Sequence, residues 1–172
     1  MQNTVNEFIS GMASTRDQAA LRPVITAGCN LDSSQMLTSA ALAITAAGST
    51  TVSTGAAATY AVANGILQKI AAATVLPVLV GTVANATFNV FAFYVDSGGN
   101  LTSAMGTAGA SLAAVQFPVL PQKEAMVGFV IINPTGTGNF VGGTTHLDDA
   151  TVVPNAAYIS VVGAFDPTVL LG

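Results

Sequence analysis

An antiparallel all-β domain, a β-sandwich or jelly-roll-like one, is the fold class this chain predicts, and three observations predict it. Turn signals built from Gly, Asn, Asp and Pro recur at short intervals. Between them lie short runs rich in Val, Ile, Thr, Tyr and Phe, the residues that fit a pleated, half-buried surface. No long amphipathic helical pattern competes with them, so the elements have to cover one another as sheets.

The size and composition suit one domain with an extension. A chain of 172 residues buries a sizeable core. Hydrophobic residues make up 51% and charged residues 7%, against about 25% charged in typical domains. Ala, Thr, Gly, Ser and Asn fill the difference, giving a polar but nearly uncharged surface. Such a surface loses little on meeting another protein surface, so association is expected of it. The net charge is −4, and the four cations, Arg16, Arg22, Lys69 and Lys123, are scattered. Binding to nucleic acid needs clustered cations to neutralise phosphates and is not expected. The single cysteine, Cys29, reads as a small hydrophobe that suits folding in a reducing cytoplasm.

Residues 1–36 differ in texture from the rest and read as an N-terminal arm, with the β-sandwich domain over 37–172. The start, MQNTVNEFISGMASTRD, has no basic region, no long apolar core and an early Glu7, so it does not read as a secretory signal. Ser14 or Thr15 caps a short helix running to Leu21, and Arg22-Pro23 stops it. From Leu37 to Thr45 the Ala and Leu content allows helix, while the Ser and Thr content and the Gly48 turn favour strand.

Thr59–Ile70 is a hairpin. Two apolar runs flank Asn64-Gly65, a pair suited to a type I′ turn because that turn needs positive φ at both positions. Helix stays possible at Ala56–Ala63 and Ile70–Val75 on alanine content. The uncharged stretch Ile70–Val95 is the best candidate for a membrane span. Pro77, Gly81, Asn85, Thr87 and Asn89 interrupt it, which favours buried strands and no membrane association.

Phe88–Val95 and Ala125–Ile132 carry the fold. In the first, Phe88, Val90, Ala92 and Tyr94 share one face and Asn89, Phe91, Phe93 and Val95 the other. In the second, Met126, Gly128, Val130 and Ile132 oppose Val127, Phe129 and Ile131. Both faces are apolar in each, so both strands are central and covered on both sides. In a small sandwich the second cover is often another subunit, the alternative being the arm or a loop of the same chain, and hiding such a face at about 25 cal/mol per Å2 stabilises an oligomer by several kcal/mol. The expected subunit interface therefore holds Phe91, Phe93, Val127, Phe129 and Ile131. Asp96–Asn100 turns between Val95 and Leu101, and Asn133–Asn139 is a third turn. Phe117–Glu124, with two prolines, is an edge or crossover, and Ala156–Phe165 is a final strand ended by Asp166-Pro167.

Residues that carry chemistry are sparse. His146 stands alone near Asp148 and Asp149 without a nucleophile elbow. The two adjacent acids read as solvated or capping groups and not as a metal site. The Gly-rich pieces match no phosphate loop, and there is no Trp to build a sugar-stacking platform. No catalytic residue, metal or cofactor is expected, and the chain does not read as an enzyme.

The order of several motifs adds a resemblance. Tyr60…Asn64-Gly65 is followed by Phe91–Leu101 with its Asp96-Ser97-Gly98-Gly99-Asn100 turn. Pro118…Leu120-Pro121, Gly128–Asn133 and Gly138–Asp149 with Phe140-Val141-Gly142-Gly143-Thr144-Thr145 come next. This succession, over roughly residues 56–149, resembles small virion structural proteins of tailed bacteriophages, of the capsid decoration (cement) type. The resemblance implies a β-sandwich homo-oligomer, a trimer for preference. It would bind the major capsid protein at the capsid surface after synthesis in the host cytoplasm. It carries over no catalytic residue. A phage tail or fibre-adaptor protein is the alternative within the same class, and a small membrane protein the alternative outside it.

Overall fold

The computed structural model describes residues 34–165. Most of the arm, the capped helix at 14–21, Cys29 and Asp166-Pro167 lie outside the described residues. The chain is all-β, with eleven strands among those residues: β1 (Gln35–Met36), β2 (Ala43–Ile44), β3 (Val52–Ser53), β4 (Thr59–Ala63), β5 (Ile66–Ile70), β6 (Thr82–Val83), β7 (Asn89–Val95), β8 (Leu101–Met105), β9 (Ala125–Ile132), β10 (Phe140–Val141) and β11 (Ala157–Ser160). Every pairing between them is antiparallel. Gln35 and Met36, at the end of the arm as read from sequence, already belong to a sheet: they pair with Val62 and Ala61.

The central layer is a four-stranded sheet in the order β11-β9-β7-β8. A three-stranded sheet, β1-β4-β5, and two strand pairs, β2-β3 and β6-β10, complete the architecture. Asn64 (φ 51°) and Gly65 (φ 78°) both take positive φ between β4 and β5, as the Asn-Gly pair requires. Asp96 builds the β7–β8 turn with its own carboxylate, which accepts from the amides of Gly98 (2.7 Å) and Asn100 (2.9 Å). Neither Ala56–Ala63 nor Ile70–Val75 is helical: β4 occupies the first and a turn leads out of β5 in the second. Long-range pairing overrides the helix propensity of alanine in both.

All seven residues of β7 are buried, which makes it the strand with no solvent face. On one side of the sheet Phe91, Phe93, Val95, Val127, Val130 and Ile132 join Met36, Val52, Ala61, Leu76, Leu79, Val83 and Phe140 in the larger core. On the other side Val90, Ala92, Tyr94, Met126 and Phe129 form a second core with Val115 and Val161. Asn89 is the polar exception within β7; its Nδ2 donates to the Gly106 carbonyl at 3.1 Å.

The pairing of β7 with β9 contains a bulge. Phe93 lies opposite Gly128 and Tyr94 opposite Met126, so Val127 has no partner across the ladder. One extra residue reverses the alternation of everything before it. This corrects the face assignment in β9. Met126 shares a core with Phe129 and Ile131, while Val127 shares one with Val130 and Ile132.

Candidate functional site

The five residues expected at a subunit interface fall on two different faces. Phe91, Phe93 and Val127 are in the larger core, and Phe129 and Ile131 are in the second. The exposed fraction is 1% for Phe91, 0% for Phe93 and Val127, and 2% for Phe129. Phe91 meets the ring of Phe140 edge-on at 5.9 Å. Phe129 meets Phe117 edge-on at 4.8 Å and lies 5.7 Å from Phe165. Apolarity on both strand faces predicts a second subunit here. Both faces are instead covered by the chain itself.

The cover of the outer face is a strap that sequence reasoning read only as an extended connection. From Gly106 the chain first runs on beside β7, the Gly106 amide donating to the Val90 carbonyl at 2.8 Å, and then turns back towards the second core. Phe88 bridges to Gly109 and Thr107 to Gln116, and a single 3-10 turn, Leu112–Ala114, lies between them. Phe117 and Leu120 then pack onto the second core, with Phe165 arriving from the C-terminal side. The approach at Gly106 is close: a Cβ there would collide with the Gln116 carbonyl and stand 2.9 Å from Val90. The strap has an apolar alternation too weak to announce what it covers.

Beneath the strap one polar atom is left over. The hydroxyl of Tyr94 is buried and has no hydrogen-bond partner among the described residues. Burial, and then the Glu124 carboxylate, push its pKa up to about 12. Such a hydroxyl is costly unless paired.

The other sequence candidates form a structural loop. Asp148 Oδ2 accepts from the Gly48 amide at 2.9 Å. Asp149 Oδ1 accepts from the Thr151 amide at 2.9 Å and from the Thr151 hydroxyl at 2.6 Å. These bonds, with the Thr151 hydroxyl first, hold the Asp149 carboxyl below its usual range. Both carboxylates are thus engaged in fixing turns. No group of three or more His, Cys, Asp or Glu side chains able to hold a metal ion occurs among the described residues.

What the surface does offer is apolar. Val119 is 91% exposed, Val80 76%, Leu67 62% and Val162 59%. Ile66, Val75, Val78, Leu37 and Tyr60 are also exposed. Charges between them are few: residues 34–165 hold Lys69, Lys123, Asp96, Glu124, Asp148 and Asp149. Of these exposed residues only Tyr60 stands out in the sequence, as the start of the motif succession. The Leu67 signal was present in the hairpin, whose second strand ends its sheet, but strand order is not written in a local pattern. Among the described residues no helix is long and apolar enough to cross a membrane, and the interrupted stretch Ile70–Val95 contains the end of β5, β6 and β7.

No known family, no curated protein and no solved structure matches this chain.

Proposed function

We propose that the chain is a structural protein of a tailed-bacteriophage virion. It decorates and stabilises the capsid by binding the major capsid protein as a homo-oligomer. The observation that carries this reading is the surface: large exposed apolar side chains such as Val119, Val80 and Leu67 on a domain with few charges. Isolated surface apolars are ordinary, whereas so many with so little charge favour a protein whose surface is covered in its working state. The motif order from Tyr60 to Asp149 supports the same reading. Many modest contacts, repeated over a shell, raise the free energy of opening it by mass action.

The test is co-sedimentation of the purified protein with purified phage heads and, separately, with purified tails. Saturable binding to heads at a fixed ratio to the major capsid protein supports decoration. Binding to tails alone selects the tail or fibre-adaptor reading, and binding to neither removes both.

A further inference from the structure

We propose that the free edge of β5 pairs antiparallel with β5 of a second copy of the same chain, joining two three-stranded sheets into one of six strands. The inference goes beyond capsid decoration and is tested without capsids.

The argument starts from the hairpin register. Ala63 lies opposite Ile66, Ala61 opposite Gln68 and Thr59 opposite Ile70. A two-residue turn makes its flanking residues a hydrogen-bonded pair, and such pairs alternate along an antiparallel ladder. The backbone groups of Ile66, Gln68 and Ile70 therefore point at β4. Those of Leu67 and Lys69 point the other way. The β1 side agrees: the Leu37 amide donates to the Tyr60 carbonyl at 2.8 Å, as expected where alternate residues of β4 face β1.

On the outward side of β5 no described backbone or side chain bonds to the main chain of Leu67 or Lys69. Other outer strands have chain packed beside them. Met36 in β1 bridges to Gly163. The Ser160 hydroxyl of β11 accepts from the Leu42 amide at 2.9 Å. β8 is flanked by the segment around Val78, whose carbonyl takes the Ser103 hydroxyl at 3.2 Å. Bare edges are usually blunted by charge, proline or a bulge. In β5 the single charge is Lys69, and the strand is half apolar surface, with Ile66 50% and Leu67 62% exposed.

A second copy fits this edge because the strand is complementary to itself. A two-fold axis at Gln68 sets Leu67 opposite the other copy's Lys69, and Lys69 opposite its Leu67. Each of these is a hydrogen-bonded pair made from the outward-pointing groups, so the seam closes with four main-chain bonds. Each lysine stem lies along a leucine, with the ammonium groups in water. The two ammonium-bearing residues sit diagonally, about 8 Å apart at the Cα by the standard strand spacings. No acidic partner is needed, and every outward group is used.

The test is molar mass by light scattering over a range of protein concentrations, on the full chain. The proposal expects mass to rise from 17.1 kDa towards twice that value. Leu67→Pro deletes one seam donor per strand while leaving every β4–β5 bond intact. Leu67→Lys adds a cation facing Lys69. Each is expected to weaken association about tenfold or more, Leu67→Pro through the loss of two hydrogen bonds per dimer and Leu67→Lys through like-charge repulsion across the seam. Circular dichroism checks that both stay folded. In a Cys29→Ser background, Gln68→Cys is expected to form an intermolecular disulfide on oxidation, because residues across a non-hydrogen-bonded pair have the spacing for one. A monomer at every concentration, a trimer mass, or dimerisation unchanged in both Leu67 variants overturns the proposal.

Discussion

Tyr94 and Phe91 are neighbours by three residues in β7 and face opposite cores, so single substitutions separate the two faces. Phe91→Ala removes a ring from a closed core, where such truncations cost about 3–5 kcal/mol. Denaturant unfolding should show that loss. Leu67→Ala, on the exposed edge, should change monomer stability by less than about 0.5 kcal/mol. Tyr94→Phe removes a buried hydroxyl that lacks a partner and should leave stability unchanged or raise it by about 1 kcal/mol. The pH dependence has a definite sign. The folded-state pKa of Tyr94 is raised from 10.0 to about 12, so the neutral phenol is favoured in the fold. Its contribution is fully present below pH 10 and is lost as pH rises from 10 towards 12. Stability measured across that window should fall less steeply in Tyr94→Phe than in the wild type. Equal slopes would place the hydroxyl in a solvated or paired setting.

At the scale of elements, β7 and β9 should be the most protected from hydrogen exchange. Both are nearly wholly buried, and each pairs on both sides. The strap from Gly106 to Glu124 rests on a few bridges and a handful of apolar side chains. It should exchange well before them, because local opening follows low contact density. Comparable protection in strap and strands would mean the strap is part of the central cooperative unit. The same elements show what was legible in the sequence. The Asn64-Gly65 and Asp96–Asn100 hairpins were, because turn chemistry is local. The two-sided burial of β7 and β9 was, because neither run contains a polar alternation. The bulge at Val127 was not, for the same reason: when both faces are apolar, a slip of one residue leaves no trace in the pattern. The two-residue strands β6 and β10 were also hidden, since they are held by long-range pairing alone. Which of the two covers the second face, another subunit or a loop of the same chain, is not legible, because the strap's residues, Phe117, Leu120 and Val115, are spaced by prolines and turns and show no period.

For the whole molecule, the closed cores move the question of assembly from the strand faces to the edge and the surface. Any partner meets residues such as Val119, Val80 and Leu67, and does not meet Phe91 or Phe129. With so few charges, binding to a shell should depend weakly on ionic strength, since screening acts mainly on exposed charge pairs. Sedimentation in low and high salt should give similar occupancy; a steep fall with salt would point to an electrostatic contact that this surface does not supply. The most direct measurement is saturation binding of the purified protein to purified phage heads, with tails as the control. Saturation at a fixed stoichiometry on heads, with none on tails, is the predicted result. Protein that stays in the supernatant at every concentration of heads would contradict the account.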